Sequence, residues 1–145
     1  MKKLIFFFSL LGILTACSND DNVNQNPNLL DVNVNYFVDM NLPQFNALNF
    51  PSNPVYIGNQ GNGGIYVMNT GPNQFVAWDA ADPNHPFTNE CPTMELDGIQ
   101  VTCACEGNTY ELFTGNFMES ENELQYTLWA YRVTVNGNNT LQITN

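Results

Sequence analysis

Apolar and polar positions alternate with a period of two along much of the chain. Val32, Val34, Tyr36, Val38 and Met40 interleave with Asn33, Asn35, Phe37 and Asp39. Such alternation over residues 32–40 predicts a strand with one buried face. Short β-rich runs follow at 55–57, 65–68, 75–78, 99–102, 109–113 and 126–135. Val, Ile, Tyr, Phe and Trp recur in them, and these side chains suit a pleated, half-buried surface. Pro43, Pro51 and Pro54 bound a loop after the first strand. The glycine-rich stretch 58–64 and Thr70-Gly-Pro-Asn73 predict turns, and residues 95–102 predict a strand and turn. Asn136-Gly137 lies between Arg132-Val-Thr-Val135 and Thr140-Leu-Gln-Ile-Thr144, which predicts a hairpin with a type I′ turn. After Cys17 there is no stretch of helical 3.6-residue periodicity and no internal repeat. Short strands at close spacing predict an all-β antiparallel sandwich or small barrel.

Composition narrows what such a domain can meet. The 145 residues carry 14 Asp and Glu against 3 Lys and Arg, a net charge of −11. A nucleic-acid surface needs clustered Lys and Arg to displace counterions from phosphate, and none is present. Adsorption to anionic lipid by charge is excluded for the same reason. With 24 Asn, the surface is made polar by amides more than by ions. Asn favours turns over helix interiors, which agrees with the strand pattern.

The N-terminus reads as an address. Lys2-Lys3 precedes an apolar run from Leu4 to Leu14, then Thr15-Ala16-Cys17. A basic region, a short apolar core and a small-residue cleavage site make a secretory signal peptide. The run is too short to span about 30 Å of hydrocarbon as a helix. Leu14-Thr-Ala-Cys17 resembles the lipobox of bacterial lipoproteins, which implies cleavage before Cys17 and lipid on its thiol. Several acyl chains on one cysteine hold a protein to a membrane where a single chain does not. Arg132 would then stand alone against 14 acids in the mature chain, a net charge of −13. Residues 1–16 are thus read as signal peptide, 17–28 as a flexible acidic and Asn-rich tether, and 29–145 as one β domain. The expected location is the outer membrane, on its cell-surface or periplasmic side. Ser18-Asn-Asp-Asp-Asn22 resembles the acidic tether of surface-exposed lipoproteins.

Past Cys17, the chemistry-bearing residues fall within residues 85–105: His85, Cys91, Cys103 and Cys105. Two polar loops, 82–94 and 103–107, flank the strand pair between them. Such a layout can hold a metal centre or a disulfide. No serine nucleophile motif or phosphate loop accompanies it. A zinc site at His85 with Cys91, Cys103 or Cys105 would lack the spacing of a finger or ribbon. His85, flanked by Asn84 and Pro86, reads as a turn residue; Asp79 and Asp82 read as loop carboxylates. Glu119, Glu121 and Glu123 read as a solvated face, and Trp78 and Trp129 as core strand positions.

From about Gly64 to Ile143 the chain resembles the Rieske domain. Phe75-Val-Ala-Trp-Asp79 matches the strand before that family's first cluster loop. Cys103-x-Cys-x-Gly107, Tyr110 and Thr114-Gly115 match the second loop and the strand after it. Leu128-x-x-Tyr131-x-Val133, the Asn-Gly turn and Leu141-x-Ile143 match the closing hairpin. The resemblance implies a β domain with a two-loop hairpin subdomain. In the family these loops bring a cysteine each to one iron and a histidine each to the other.

Carried over residue by residue, the ligand set is incomplete. Asp82 stands at the first ligand cysteine, His85 near the first ligand histidine, Cys103 at the second ligand cysteine and Glu106 at the second ligand histidine. An alternative register places Cys91 at the ligand position with Thr93 where histidine belongs. The first register implies a Cys91–Cys105 disulfide tying the loops together, with Cys91–Cys103 as the alternative. The expectation is a lipoprotein without a cluster, serving as a non-catalytic binding or structural module with an unknown protein or small-molecule partner. Two alternatives stand beside it: a [2Fe–2S] electron-transfer protein with unusual ligands, and a thiol–disulfide protein using Cys103 and Cys105.

Overall fold

A computed structural model describes residues 26–119 and 123–145. The residues read as signal peptide, Cys17, those read as tether up to residue 25, and Glu121 lie outside the described residues. Ten strands and one short 3-10 helix follow in order: β1 (Asn35–Asp39), the helix (Pro43–Asn49), β2 (Val55–Ile57), β3 (Ile65–Gly71), β4 (Gln74–Asp79), β5 (Glu95–Asp97), β6 (Gln100–Thr102), β7 (Thr109–Glu111), β8 (Phe117–Glu119), β9 (Ala130–Asn136) and β10 (Thr140–Thr144). All neighbouring strands pair antiparallel. Six form a half-barrel sheet in the order β1-β10-β9-β4-β3-β2, and four form a smaller sheet, β5-β6-β7-β8. The expected all-β class is therefore present.

Strand β3 shows why the two sheets belong together. Its run Ile65-Tyr-Val-Met68 is apolar at every position, and all four side chains are buried. A strand covered on both faces loses the polar half of the alternation. Ile65 and Val67 face a core shared with Val38, Leu141, Ile143, Phe45 and Leu48. Tyr66 and Met68 face a second core with Val101, Tyr110 and Leu112 of the small sheet. Each fully buried aliphatic side chain contributes roughly 1.5–3 kcal/mol. The central strand is thereby fixed from two sides.

Local chemistry explains the departures from the sequence reading. The proline-bounded stretch contains a 3-10 helix that begins at Pro43, whose preset φ suits a first helical position. It buries Phe45 and Leu48 against the sheet and ends at Phe50, which Pro51 holds extended. At the closing hairpin, Asn136 pairs with Thr140, so the loop is residues 137–139 and not the two-residue type I′ turn. The left-handed residues are Asn138 (φ 61°) and Asn139 (φ 61°). Tertiary bonds select this form: Met40 N donates to Asn139 O (3.0 Å) and Asn41 Nδ2 to Asn138 O (3.1 Å). Strand β8 carries no alternation signal. Among the described residues no helix is long and apolar enough to cross a membrane.

Candidate functional site

Two loops meet beside the small sheet. The first leaves β4 and is closed at its base, where Ala80 N donates to Gly64 O (2.9 Å) and Met94 N to Ala80 O (2.8 Å). Asp82 opens it as an Asx turn, its Oδ1 accepting Asn84 N at 2.8 Å. Asn84 then stitches the loop to residues 125–126. Its Oδ1 accepts the backbone N–H groups of Gln125 (2.9 Å) and Tyr126 (3.0 Å), and its Nδ2 donates to Tyr126 O (2.6 Å). Asn26 and Asn28, within the stretch read as tether, each donate a side-chain amide to Pro83 O at 2.9 Å. Contacts with the domain thus begin before residue 29.

The second loop joins β6 to β7. Cys103 N donates to Asn108 O (2.9 Å) and Gly107 N to Cys103 O (2.8 Å), which closes a tight turn. Gly107 sits at φ +71°, a conformation a side chain would strain even with open space around it. Cys91 and Cys105 form a disulfide that ties the loops, with Cα atoms 6.2 Å apart. The pairing implied by the family resemblance is the one present. The alternative Cys91–Cys103 bond is absent, and Cys103 is a buried free thiol whose Sγ lies 3.5 Å from Cys91 Sγ.

The four positions singled out from the sequence come together in two pairs. Asp82 lies beside Cys103, near enough for its carboxylate to act on the thiol. His85 Nε2 lies 3.8 Å from Glu106 Oε1, an ion pair when the imidazole is protonated. Asp82 is buried, its Oδ1 also accepting Tyr110 OH at 2.6 Å and its Oδ2 accepting Asn108 Nδ2 at 2.9 Å. Burial pushes the Cys103 thiol up. The backbone N–H groups of Glu106 and Cys105 pull it down, and the Asp82 carboxylate raises it again. Among the described residues no three His, Cys, Asp or Glu side chains gather as a metal-binding group.

Reading Asp79 as a loop carboxylate is corrected here; Asp82 does lie in the loop, but buried. Asp79 is the last residue of β4 and is fully buried. Its Oδ2 accepts Tyr131 OH (2.6 Å), Asn62 N (2.7 Å) and Asn62 Nδ2 (3.0 Å), and its Oδ1 accepts Ala81 N (2.9 Å) and Gly63 N (3.0 Å). It holds the glycine-rich turn against the base of the first loop. The available signal is a carboxylate set between Phe75-Val-Ala-Trp78 and Ala80-Ala81, an apolar context where a charge needs several donors. Asn84, Asn108 and Tyr131 are further members of these networks that sequence reasoning did not assign. Trp78 lies in β4 as expected, half-buried, with its indole N–H donating to Leu112 O (2.8 Å); Trp129 is buried but sits just before β9 and not in a strand.

Three buried phenols make alkaline stability a test of this packing. Burial, with the charges of Tyr56 and Glu95, pushes Tyr66 from 10 up to about 12. Burial and the neighbouring carboxylates push Tyr110 and Tyr131 up as well, by Asp82 and Asp79 respectively. A raised folded-state value means the unfolded chain loses its protons first. The contribution is complete below about pH 10 and falls as pH rises towards 12. Phenolate absorbance should therefore show Tyr66, Tyr110 and Tyr131 ionising only as the fold is lost. The Tyr66→Phe variant should show a shallower fall in stability between pH 10 and 12. Free titration of all six tyrosines near pH 10 in folded protein would contradict the packing.

No protein-family profile and no curated protein matches this chain.

Proposed function

We propose that this chain is a Rieske-like β module that works without an iron–sulfur cluster, as a non-catalytic binding or structural domain held to a membrane by lipid on Cys17. The resemblance is supported by the placement of both loops beside a separate four-stranded sheet, with a disulfide between them. The observation that carries the cluster-free reading is the state of Asp82. Where a cluster would require a thiolate, a buried carboxylate is already engaged by Tyr110, Asn108 and Asn84.

The donor chemistry does not fit a [2Fe–2S] group. Such a centre takes two thiolates on one iron and two neutral imidazoles on the other. The corresponding pairs here are Asp82 with Cys103 and His85 with Glu106, one soft donor in each. Sulfur-bridged iron favours thiolate and imidazole over carboxylate oxygen. The polar network of Asp82, Asn84, Asn108 and Tyr110 ties the bases of the two loops together, as suits a surface that must keep one shape for a partner.

The test is elemental and spectroscopic. Protein isolated without air from iron-replete cells should contain far less than stoichiometric iron and acid-labile sulfide, with no paramagnetic resonance signal after reduction. Two irons and two sulfides per chain would overturn the reading in favour of electron transfer. Mass analysis of the same material should find the mature N-terminus at a lipid-modified Cys17. An unmodified Cys17 would remove the membrane anchor from the proposal.

A further inference from the structure

Three sulfurs lie in contact at the meeting of the loops, in graded exposure. Cys103 is buried, Cys91 is half-buried and Cys105 is exposed. The free Cys103 Sγ is 3.5 Å from Cys91 Sγ, the half-buried end of the Cys91–Cys105 disulfide. The Asp82 carboxylate lies close enough to raise the Cys103 thiol, while the backbone N–H groups of Glu106 and Cys105 favour the thiolate. A nucleophile, a proton acceptor and a disulfide sulfur are therefore assembled within one chain.

We propose that Cys103, Cys91 and Cys105 form a thiol–disulfide exchange unit that converts a sheltered thiol into one presented to solvent at Cys105. The Cys103 thiol gives its proton to Asp82, and the thiolate attacks Cys91 Sγ. The Cys91–Cys103 bond forms as the Cys91–Cys105 bond breaks. The electron pair leaves on Cys105 Sγ, which is released as a thiolate, while Asp82 passes the proton on to water. The exchange needs no oxidant or reductant, because one disulfide and one thiol are present before and after. The released Cys105 thiolate is then the nucleophile towards a disulfide on another molecule. With oxidised glutathione as the simplest such compound, the thiolate attacks one sulfur, a mixed disulfide forms at Cys105, and one glutathione thiolate leaves. The inference rests on the cluster-free reading to this extent: Cys103 must be a thiol and not an iron ligand.

The experiment incubates the native full-length protein with oxidised glutathione and maps its peptides without reduction. The expected product carries glutathione on Cys105 and a Cys91–Cys103 bond. In Cys103→Ser, with no thiol to begin the exchange, incorporation at Cys105 should be lost. Cys105→Ser, made in the same oxidising compartment, should be isolated with a Cys91–Cys103 bond. Glutathione on Cys103 with Cys91–Cys105 intact, or none in folded protein, overturns the exchange alone. So does a Cys105→Ser variant with both remaining thiols free. Iron bound at Cys103 in the starting material overturns the cluster-free reading along with it.

Discussion

Asp79→Ala is expected to destabilise the fold by about 5 kcal/mol, a large part of the roughly 5–15 kcal/mol that holds a domain of this size together. The carboxylate accepts five hydrogen bonds, from Asn62 N and Nδ2, Gly63 N, Ala81 N and Tyr131 OH. Bonds to a charged acceptor contribute about 1.5–3 kcal/mol each, and a buried donor left without one costs about 1–3 kcal/mol. Water cannot easily replace the acceptor. Gly63 is packed so closely that an added Cβ would lie 2.4 Å from Pro92 O and 2.7 Å from Ala81 N. Asp79→Asn keeps one acceptor oxygen but turns an N–H pair towards other donors, and should cost about half as much. Tyr131→Phe removes one bond and should cost about 1–2 kcal/mol. Urea unfolding followed by tryptophan fluorescence measures all three. A loss below about 1 kcal/mol for Asp79→Ala would mean that the carboxylate does not organise the turn.

The strands most legible in the sequence are those whose faces differ. Alternation at Val34, Val38 and Met40 predicts β1, and these three side chains are buried. The runs at 55–57 and 140–144 match β2 and β10 residue for residue. Legibility fails where tertiary contacts choose among local options. Asn138 and Asn139 adopt the left-handed turn positions because their carbonyls are taken by Asn41 and Met40, so the adjacent Asn-Gly signal is overridden. The 3-10 helix is too short for a periodicity signal, and its formation follows from burying Phe45 and Leu48.

The candidate site shows the same division. The family resemblance implied the cysteine pairing, because loops at fixed places on a β framework can be joined in few ways. It also placed Asp82, Cys103, His85 and Glu106 at related positions, and the fold brings them together in pairs. What stayed hidden was how buried acids are accommodated. Asp79 and Asp82 each rely on a tyrosine far along the chain, Tyr131 and Tyr110, and on backbone donors whose direction depends on the fold. Sequence spacing carries no record of such partners. Asn84, which joins the first loop to residues 125–126 and to Tyr110, looks like any of the other 23 asparagines until the chain is folded.

Removing both ends of the disulfide, as Cys91→Ser with Cys105→Ser, is expected to cost about 3 kcal/mol. That is the loop-closure entropy associated with a closed loop of about 15 residues. The single variants should not be equal, because Cys91 has two sulfur neighbours and Cys105 is only one of them. In Cys105→Ser, Cys103 can take over as the partner of Cys91 across a sequence separation of 12 in place of 14. By the same loop-closure relation the two cross-links differ by only about 0.1 kcal/mol. Most of the stabilisation should therefore survive in Cys105→Ser. Cys91→Ser has no such recourse, since a bond between Cys103 and Cys105 would close a loop too short to restrain the unfolded chain. It should lose nearly the full 3 kcal/mol. Urea midpoints measured with and without reductant separate the cases. Reductant should lower the midpoint of the wild type and of Cys105→Ser and leave Cys91→Ser unchanged. Equal losses in both single variants would show that Cys103 cannot reach the bonding position its 3.5 Å separation from Cys91 places within range.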